Sequence, residues 1–213
     1  MSVFGNSASR EAARIRACGR RGLWGHVTAW AGLNPQAAAA DAVAARWELG
    51  ARAERDTVRL LRPLRLRGWR LRHDRRLPGR RFNIDHAKVS PCGTAVVVGD
   101  TKRWPVGWEV WAEGGRLWCG REDRHGEAVK VARYAQLVAG AVGMPGVVVW
   151  PLLIVHGSTV RGGHLQVATE AGVVQVVAAG ELRRVLRAAP AGWSWGRARR
   201  VARRVDEVLT PYR

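Results

Sequence analysis

An apolar run, Ala95-Val96-Val97-Val98, flows without a break into Gly99-Asp100-Thr101-Lys102 and constrains this chain more than any other stretch. Upstream lies a second extended run, Phe82 to Val89, and between the two stands Ser90-Pro91-Cys92-Gly93. Pro presets φ and Gly tolerates φ > 0, so the spacing predicts a hairpin over Phe82–Val89 and Thr94–Lys102. With Val89 opposite Thr94, Asp85 falls opposite Val98. Side chains alternate faces along a strand, so Asp85, Val98, Asp100 and Lys102 share one face. Charges gathered beside an apolar strand are costly unless they pair or hold a metal. That makes Asp85, Asp100 and Lys102 the leading candidates for a functional site.

Size and composition set the class. The chain has 213 residues, 47% of them hydrophobic, enough for one domain with a sizeable core and short extensions. Its 36 Lys and Arg against 17 Asp and Glu give a formal net charge of +19. Such a surplus favours a polyanionic partner, nucleic acid first and an anionic membrane surface second. Cys18, Cys92 and Cys119 form no CxxC pair and no even framework, which points to a reducing, cytoplasmic setting. The N-terminus has arginines without an uninterrupted apolar run after them, unlike a secretory signal. The longest apolar run, Val147 to Val155, is interrupted by Pro151 and too short to span a bilayer.

Taken in order, Met1 to about Gln36 is a basic N-terminal extension with a short helix around Ser9–Cys18 and a stop at Asn34-Pro35. Ala37–Leu61 has helical periodicity, with Val43, Trp47, Ala51, Val58 and Leu61 on one stripe and Glu54 in its middle. A carboxylate centred on an apolar stripe needs a cationic partner or a functional site. An outer strand with a basic face is expected at Trp69–Arg75, followed by a turn at Leu77-Pro78-Gly79. A second hairpin spans Trp108–Ala112 and Arg116–Cys119, where tryptophans cover the core more often than they stack on bases. Glu127–Val142 is an amphipathic helix with Ala128, Val131, Ala135, Val138 and Val142 inward. Val147–Val155 is a buried strand with Pro151 at a bulge or an edge. Short strands at Leu165–Ala168 and Val173–Val177 and a helix at Glu181–Ala188 follow. A last amphipathic helix, Trp195–Leu209, has arginines crowding its first half against the helix dipole, a local cost that an anionic partner offsets. The element order indicates an α/β fold, a mixed sheet flanked by helices with an antiparallel portion. The expected divisions are 1–36, 37–190 and 191–213.

Several segments, in order, resemble the nuclease-related domain (NERD) family of the PD-(D/E)xK nuclease-like superfamily. Gly50-Ala51-Arg52-Ala53-Glu54-Arg55 resembles its Glu-containing first helix, and Asn83-Ile84-Asp85-His86 its Ile-Asp-His segment. Asp100-Thr101-Lys102 takes the D/E-x-K position, followed by Arg103-Trp104 and Gly107. Pro151-Leu152-Leu153-Ile154-Val155-His156-Gly157 resembles a later strand. The likeness runs from about Arg46 to Leu186 and implies a restriction-endonuclease-like core. Asp100 is one methylene shorter than the Glu often found at its position, and Ala53 replaces a common Gly.

The resemblance implies a divalent-metal-dependent nuclease that hydrolyses DNA phosphodiester bonds with little sequence readout. Mg²⁺ is the expected ion, with Mn²⁺ able to substitute, because hard carboxylate oxygens suit it. Asp85, Asp100 and Glu54 are the implied metal ligands, with the Thr101 carbonyl assisting. Lys102 orients or helps deprotonate the attacking water. Gln136 is an accessory candidate, and His86, on the face opposite Asp85, reads as structural. Arg70, Arg72, Arg103, Arg197, Arg200 and Arg204 are the expected phosphate contacts. The competing readings are a non-catalytic nucleic-acid-binding module that keeps the nuclease fold, and a purely structural cluster of Asp85, Asp100, Lys102 and Arg103.

Overall fold

The computed structural model describes residues 6–19, 34–80, 82–188 and 192–212. Positions 1–5 and 20–33 of the expected extension, Arg81, positions 189–191 and Arg213 lie outside the described residues. The chain divides into two units, one reaching from the N-terminus to Arg55 and the other spanning Asp56–Tyr212.

The first unit contains helix α1 (Asn6–Gly19) and most of helix α2 (Pro35–Leu61). Arg16 ion-pairs with Glu48 and lies 3.6 Å from Asp41, tying α1 to α2. Asn34-Pro35, expected as a stop, begins α2 instead. The Asn34 Oδ1 accepts from the Ala37 N–H at 3.0 Å, and Pro at the first helical position has no N–H to leave unpaired. The apolar stripe also differs from expectation. Ala37, Ala44, Ala51 and Ala53 are buried, while Val43 and Trp47 are exposed. Ala51 and Leu61 of the expected stripe are buried as predicted, and in the first half of the helix alanines are buried in place of Val43 and Trp47.

The second unit is built on a seven-stranded mixed sheet, order β11-β1-β2-β3-β7-β10-β9. These strands are β1 (Arg70–Arg76), β2 (Ile84–Val89), β3 (Ala95–Arg103), β7 (Val148–His156), β9 (His164–Thr169), β10 (Gly172–Ala178) and β11 (Thr210–Pro211). β3, β7 and β10 run parallel to one another, and the outer pairings are antiparallel. A four-stranded sheet is formed by β4 (Glu109–Glu113), β5 (Arg116–Cys119), β6 (Glu122–Asp123) and β8 (Thr159–Val160). This mixed α/β arrangement with helices on its faces is the nuclease-like core that the sequence predicted.

Hydrophobic burial fixes which helix covers which face. Helix α3 (His125–Val142) buries Ala128, Val131, Ala132, Ala135, Val138 and Val142, and ends at Gly143 with φ +56°. Its Ala135 and Val138 pack with Ala87, Val89, Val96 and Val98 and with Val201 and Val205 of helix α5 (Trp195–Val208). The opposite face carries Val97, Leu152, Ile154 and Val177 against Leu61, Leu64 and the short helix α4 (Leu182–Arg187). Alternation along β3 therefore sends Val96 and Val98 to one helix layer and Val97 to the other.

Two local expectations change. Val89 pairs with Val96 rather than Thr94, a shift of two residues. The cause is a longer turn, in which the Ser90 N–H donates to the Ala95 carbonyl and the Ser90 Oγ accepts from the Ala95 N–H. Pro151 lies in a central strand, opposite Val98, and not at a sheet edge or a bulge. Pairing of β7 with β10 begins only at Leu152, so on that side the strand is still unpartnered where Pro lacks its donor.

Candidate functional site

A shift of two residues leaves every side chain on the face it already occupied, because the strand period is two. With His86 opposite Gly99, the observed register sets Asp85 across from Asp100. Both lie, with Lys102, on the face covered by α3. The Asp85 Oδ2 accepts from the Thr101 backbone N–H at 2.8 Å. Lys102 Nζ stands 2.9 Å from Asp100 Oδ2 and 3.3 Å from Glu127 Oε2 in the first turn of α3. Lys130, one turn further along, brings its ammonium to 4.0 Å from Asp100 Oδ1.

The electrostatics follow from burial and sign. Asp100 is only 6% exposed. Burial works to lower the pKa of Lys102, but Asp100, then Glu127 and Asp85, more than offset it, and the ammonium is held above the ordinary lysine value. Lys102 is therefore a firm cation between two carboxylates. Sequence reasoning missed Glu127 and Lys130. Glu127 was visible only as an acidic residue at a helix start, which the helix dipole explains just as well.

On the opposite face a buried polar chain crosses the sheet. His73 Nδ1 and His86 Nδ1 are 2.8 Å apart, and His86 Nε2 lies 3.0 Å from the Thr101 hydroxyl. The Thr101 hydroxyl donates to Thr57 Oγ1 at 3.3 Å, and Thr57 in turn sits 2.7 Å from His156 Nε2. Burial pushes the His73 imidazole down to about 3, helped by the Lys88 and Arg65 cations. Lys88 is fully buried beside this chain, with a Nζ that has no hydrogen-bond partner among the described residues. Its ammonium is lowered to about 7 by burial, which Asp85 opposes. His86 thus faces away from Asp85, and its contacts are with Thr101 and His73.

The remaining candidates scatter. Glu54 is half-buried in the first unit, three residues before Thr57 in the sequence of α2. Gln136 is exposed and lines a groove with Gln166 and Gln175, about half a helical turn round α3 from Glu127. Arg72 is committed to Asp206 of α5 through two bonds of 2.5 and 2.6 Å. Arg204 donates to the Val142 and Ala141 carbonyls at 3.0 and 2.9 Å, capping α3, and Arg197 donates to the Gly146 carbonyl at 2.8 Å. These three were expected on phosphates, but internal acceptors occupy them. Arg103 and Arg200 are exposed, and Arg70 lies 5.7 Å from the Trp195 ring centre.

The donor set suits a hard divalent ion. Asp85 and Asp100 offer carboxylate oxygens on adjacent strands, and Asp100 Oδ2 is enclosed with, among the described residues, the Lys102 ammonium against it. Mg²⁺ is commonly held by one or two carboxylates and keeps several waters. Among the described residues no three His, Cys, Asp or Glu side chains stand as a ready cage. A two-carboxylate, water-rich site is the arrangement that fits.

A mixed sheet flanked by helices, with Asp on one strand and Asp-x-Lys on the next, defines a nuclease-like protein. Residues 49–156, half of the chain, match the nuclease-related domain family, and the chain belongs to that family. No curated protein and no solved structure matches it. No helix among the described residues is long and apolar enough to cross a membrane.

Proposed function

We propose that this chain is a divalent-metal-dependent nuclease acting on DNA phosphodiester bonds with little sequence readout. The observation that carries the reading is the convergence of Asp85, Asp100 and Lys102 on one face, with Asp85 anchored by the Thr101 amide and Lys102 by Asp100 and Glu127. Asp85 and Asp100 are the residues that would hold Mg²⁺. Such an ion, when bound, activates a water and neutralises charge on the phosphoryl oxygens. Lys102, held as a cation, donates hydrogen bonds to the phosphate and stabilises the charge that grows on it, in preference to acting as a base. Glu127 and Asp100 fix the direction of that ammonium. Exposed Arg103 and Arg200 supply non-specific backbone contacts.

The test is cleavage of plasmid DNA in Mg²⁺ or Mn²⁺ by wild type and by Lys102→Ala. The reading requires metal-dependent nicking that the substitution abolishes; equal nicking by both proteins removes it.

A second reading, a nucleic-acid-binding module with an idle site, is favoured by a different observation. With the Lys102 and Lys130 ammonium groups set against Asp100 and Glu127, two carboxylates of the cluster are balanced by lysines without any ion. Salt-sensitive DNA binding with no cleavage in either metal is what that reading requires.

A further inference from the structure

At the far end of β2 from Asp85, the chain presents a groove of about 340 Å³ lined by arginine and tryptophan. Asp85 and Val89 are four residues apart on β2, about 13 Å along the strand, and Val89 pairs with Arg70 at the mouth of this groove. Trp193 and Trp195 remain 63% and 60% exposed, and Leu66 is 90% exposed. Large apolar side chains gathered this way mark an interaction surface.

The groove is firmly built. The Ser194 N–H donates to the Pro91 carbonyl at 3.1 Å, which fastens the tryptophan segment to the β2–β3 turn. Trp193 lies flush on Gly68, where an added Cβ would come within 2.8 Å of the indole. One side of that ring is seated on backbone, and the rest is open. Trp195 carries two guanidinium groups close to its ring, Arg70 at 5.7 Å and Arg199 at 5.4 Å from the centroid. Neither arginine, nor Arg65 beside them, meets a carboxylate among the described residues, and the enclosed Arg70 Nε has no acceptor.

We propose that this groove binds a single-stranded nucleic acid, with Trp193 stacking an unpaired base and Arg65, Arg70 and Arg199 holding its phosphates. An open indole offers a π-face that every base can use, and the uncommitted guanidinium groups match a polyanion. Bases inside a duplex have both faces covered, so the site selects unpaired strands. A concave recess suits a threaded strand better than a bilayer, which takes a projecting apolar wedge. The inference deepens the nucleic-acid part of the function proposed above by naming the substrate class. It concerns binding alone and does not need the acidic site to cut.

The experiment is fluorescence anisotropy of labelled oligothymidylate, and of an abasic strand of equal length, titrated with the full chain in EDTA. Without divalent ions a silent acidic site leaves the result untouched, so failure here is distinct from failure of the nuclease reading. Trp193→Ala is expected to weaken oligothymidylate binding about tenfold and to leave the abasic strand unchanged. Trp193→Phe keeps affinity within about threefold. Arg70→Ala with Arg199→Ala weakens both strands and flattens the slope of log K against log salt by about 0.7 for each phosphate no longer neutralised. If Trp193→Ala fails to fold, Trp193→Leu takes its place, keeping an apolar side chain on Gly68 without an aromatic face. Unchanged oligothymidylate affinity in the non-aromatic variant, or an equal loss on both strands, overturns the proposal. Trp193-dependent binding to phosphatidylserine vesicles without binding to oligothymidylate overturns it too.

Discussion

The Thr101 backbone N–H donates to Asp85 Oδ2 at 2.8 Å, so the residue between the acid and the lysine of Asp-x-Lys holds the carboxylate of the neighbouring strand. The same residue turns its hydroxyl to the opposite face, toward His86 and Thr57. Thr101 therefore joins the candidate site to a buried polar chain behind it.

Asp85→Asn keeps an acceptor for the Thr101 amide but removes the charge. It is expected to fold with a loss of about 1 kcal/mol, the difference between a charged and a neutral acceptor. Plasmid nicking and Mn²⁺ binding, followed by calorimetry, should both disappear. An Asp85→Asn protein that keeps the wild-type heat of Mn²⁺ binding would take Asp85 out of the metal site.

Glu127→Gln leaves Asp100 to hold Lys102 alone. The ammonium loses one of its orienting charges, so the cleavage rate at saturating DNA should fall between about tenfold and a hundredfold while KM stays level. A rise in KM with kcat intact would instead place Glu127 in substrate binding.

Thr57→Val keeps the shape and removes a hydroxyl that serves both Thr101 and His156. Buried polar groups left without a partner cost about 1–3 kcal/mol, and urea denaturation should show a loss in that range. A variant as stable as wild type would mean that these bonds contribute nothing net.

Two buried basic groups, His73 and Lys88, should both make stability rise with pH. His73 binds its proton only near pH 3 when folded, against about 6.5 unfolded. The unfolded chain therefore holds more protons between those values, and stability is lost as pH falls from 6.5 toward 3. Lys88 titrates near 7 when folded against 10.5 unfolded, so stability rises as pH climbs from 7 to 10.5. Lys88→Met should raise stability at pH 7 by roughly 1–3 kcal/mol and flatten the alkaline limb of a melting-temperature profile. A variant that keeps the alkaline rise would assign that rise to another group.

Much of this arrangement was legible in the residues. The apolar alternation of β2 and β3 placed Asp85, Asp100 and Lys102 together even with the register two residues out, because face depends on parity alone. The inward side of α3 was likewise plain from its spacing. What could not be read depends on contacts between segments distant in sequence. Glu127 meets Lys102 only because α3 crosses β3 at that point. Arg72 and Arg204 look like free cations until Asp206 and the end of α3 arrive beside them. The stripe of α2 held at Ala51 and Leu61 but failed at Val43 and Trp47, which outrank Ala in hydrophobicity yet are exposed while Ala37 and Ala44 are buried.

The two-residue strand β11 has one more effect. It lies outermost in the main sheet, and Pro211 stands opposite Arg75 with no N–H to offer a further chain. A growing sheet recruits its next member through a row of free donors, and here that row is interrupted. The short tail thus works as an end-stop, and its removal would lay bare the longer β1 margin to self-association.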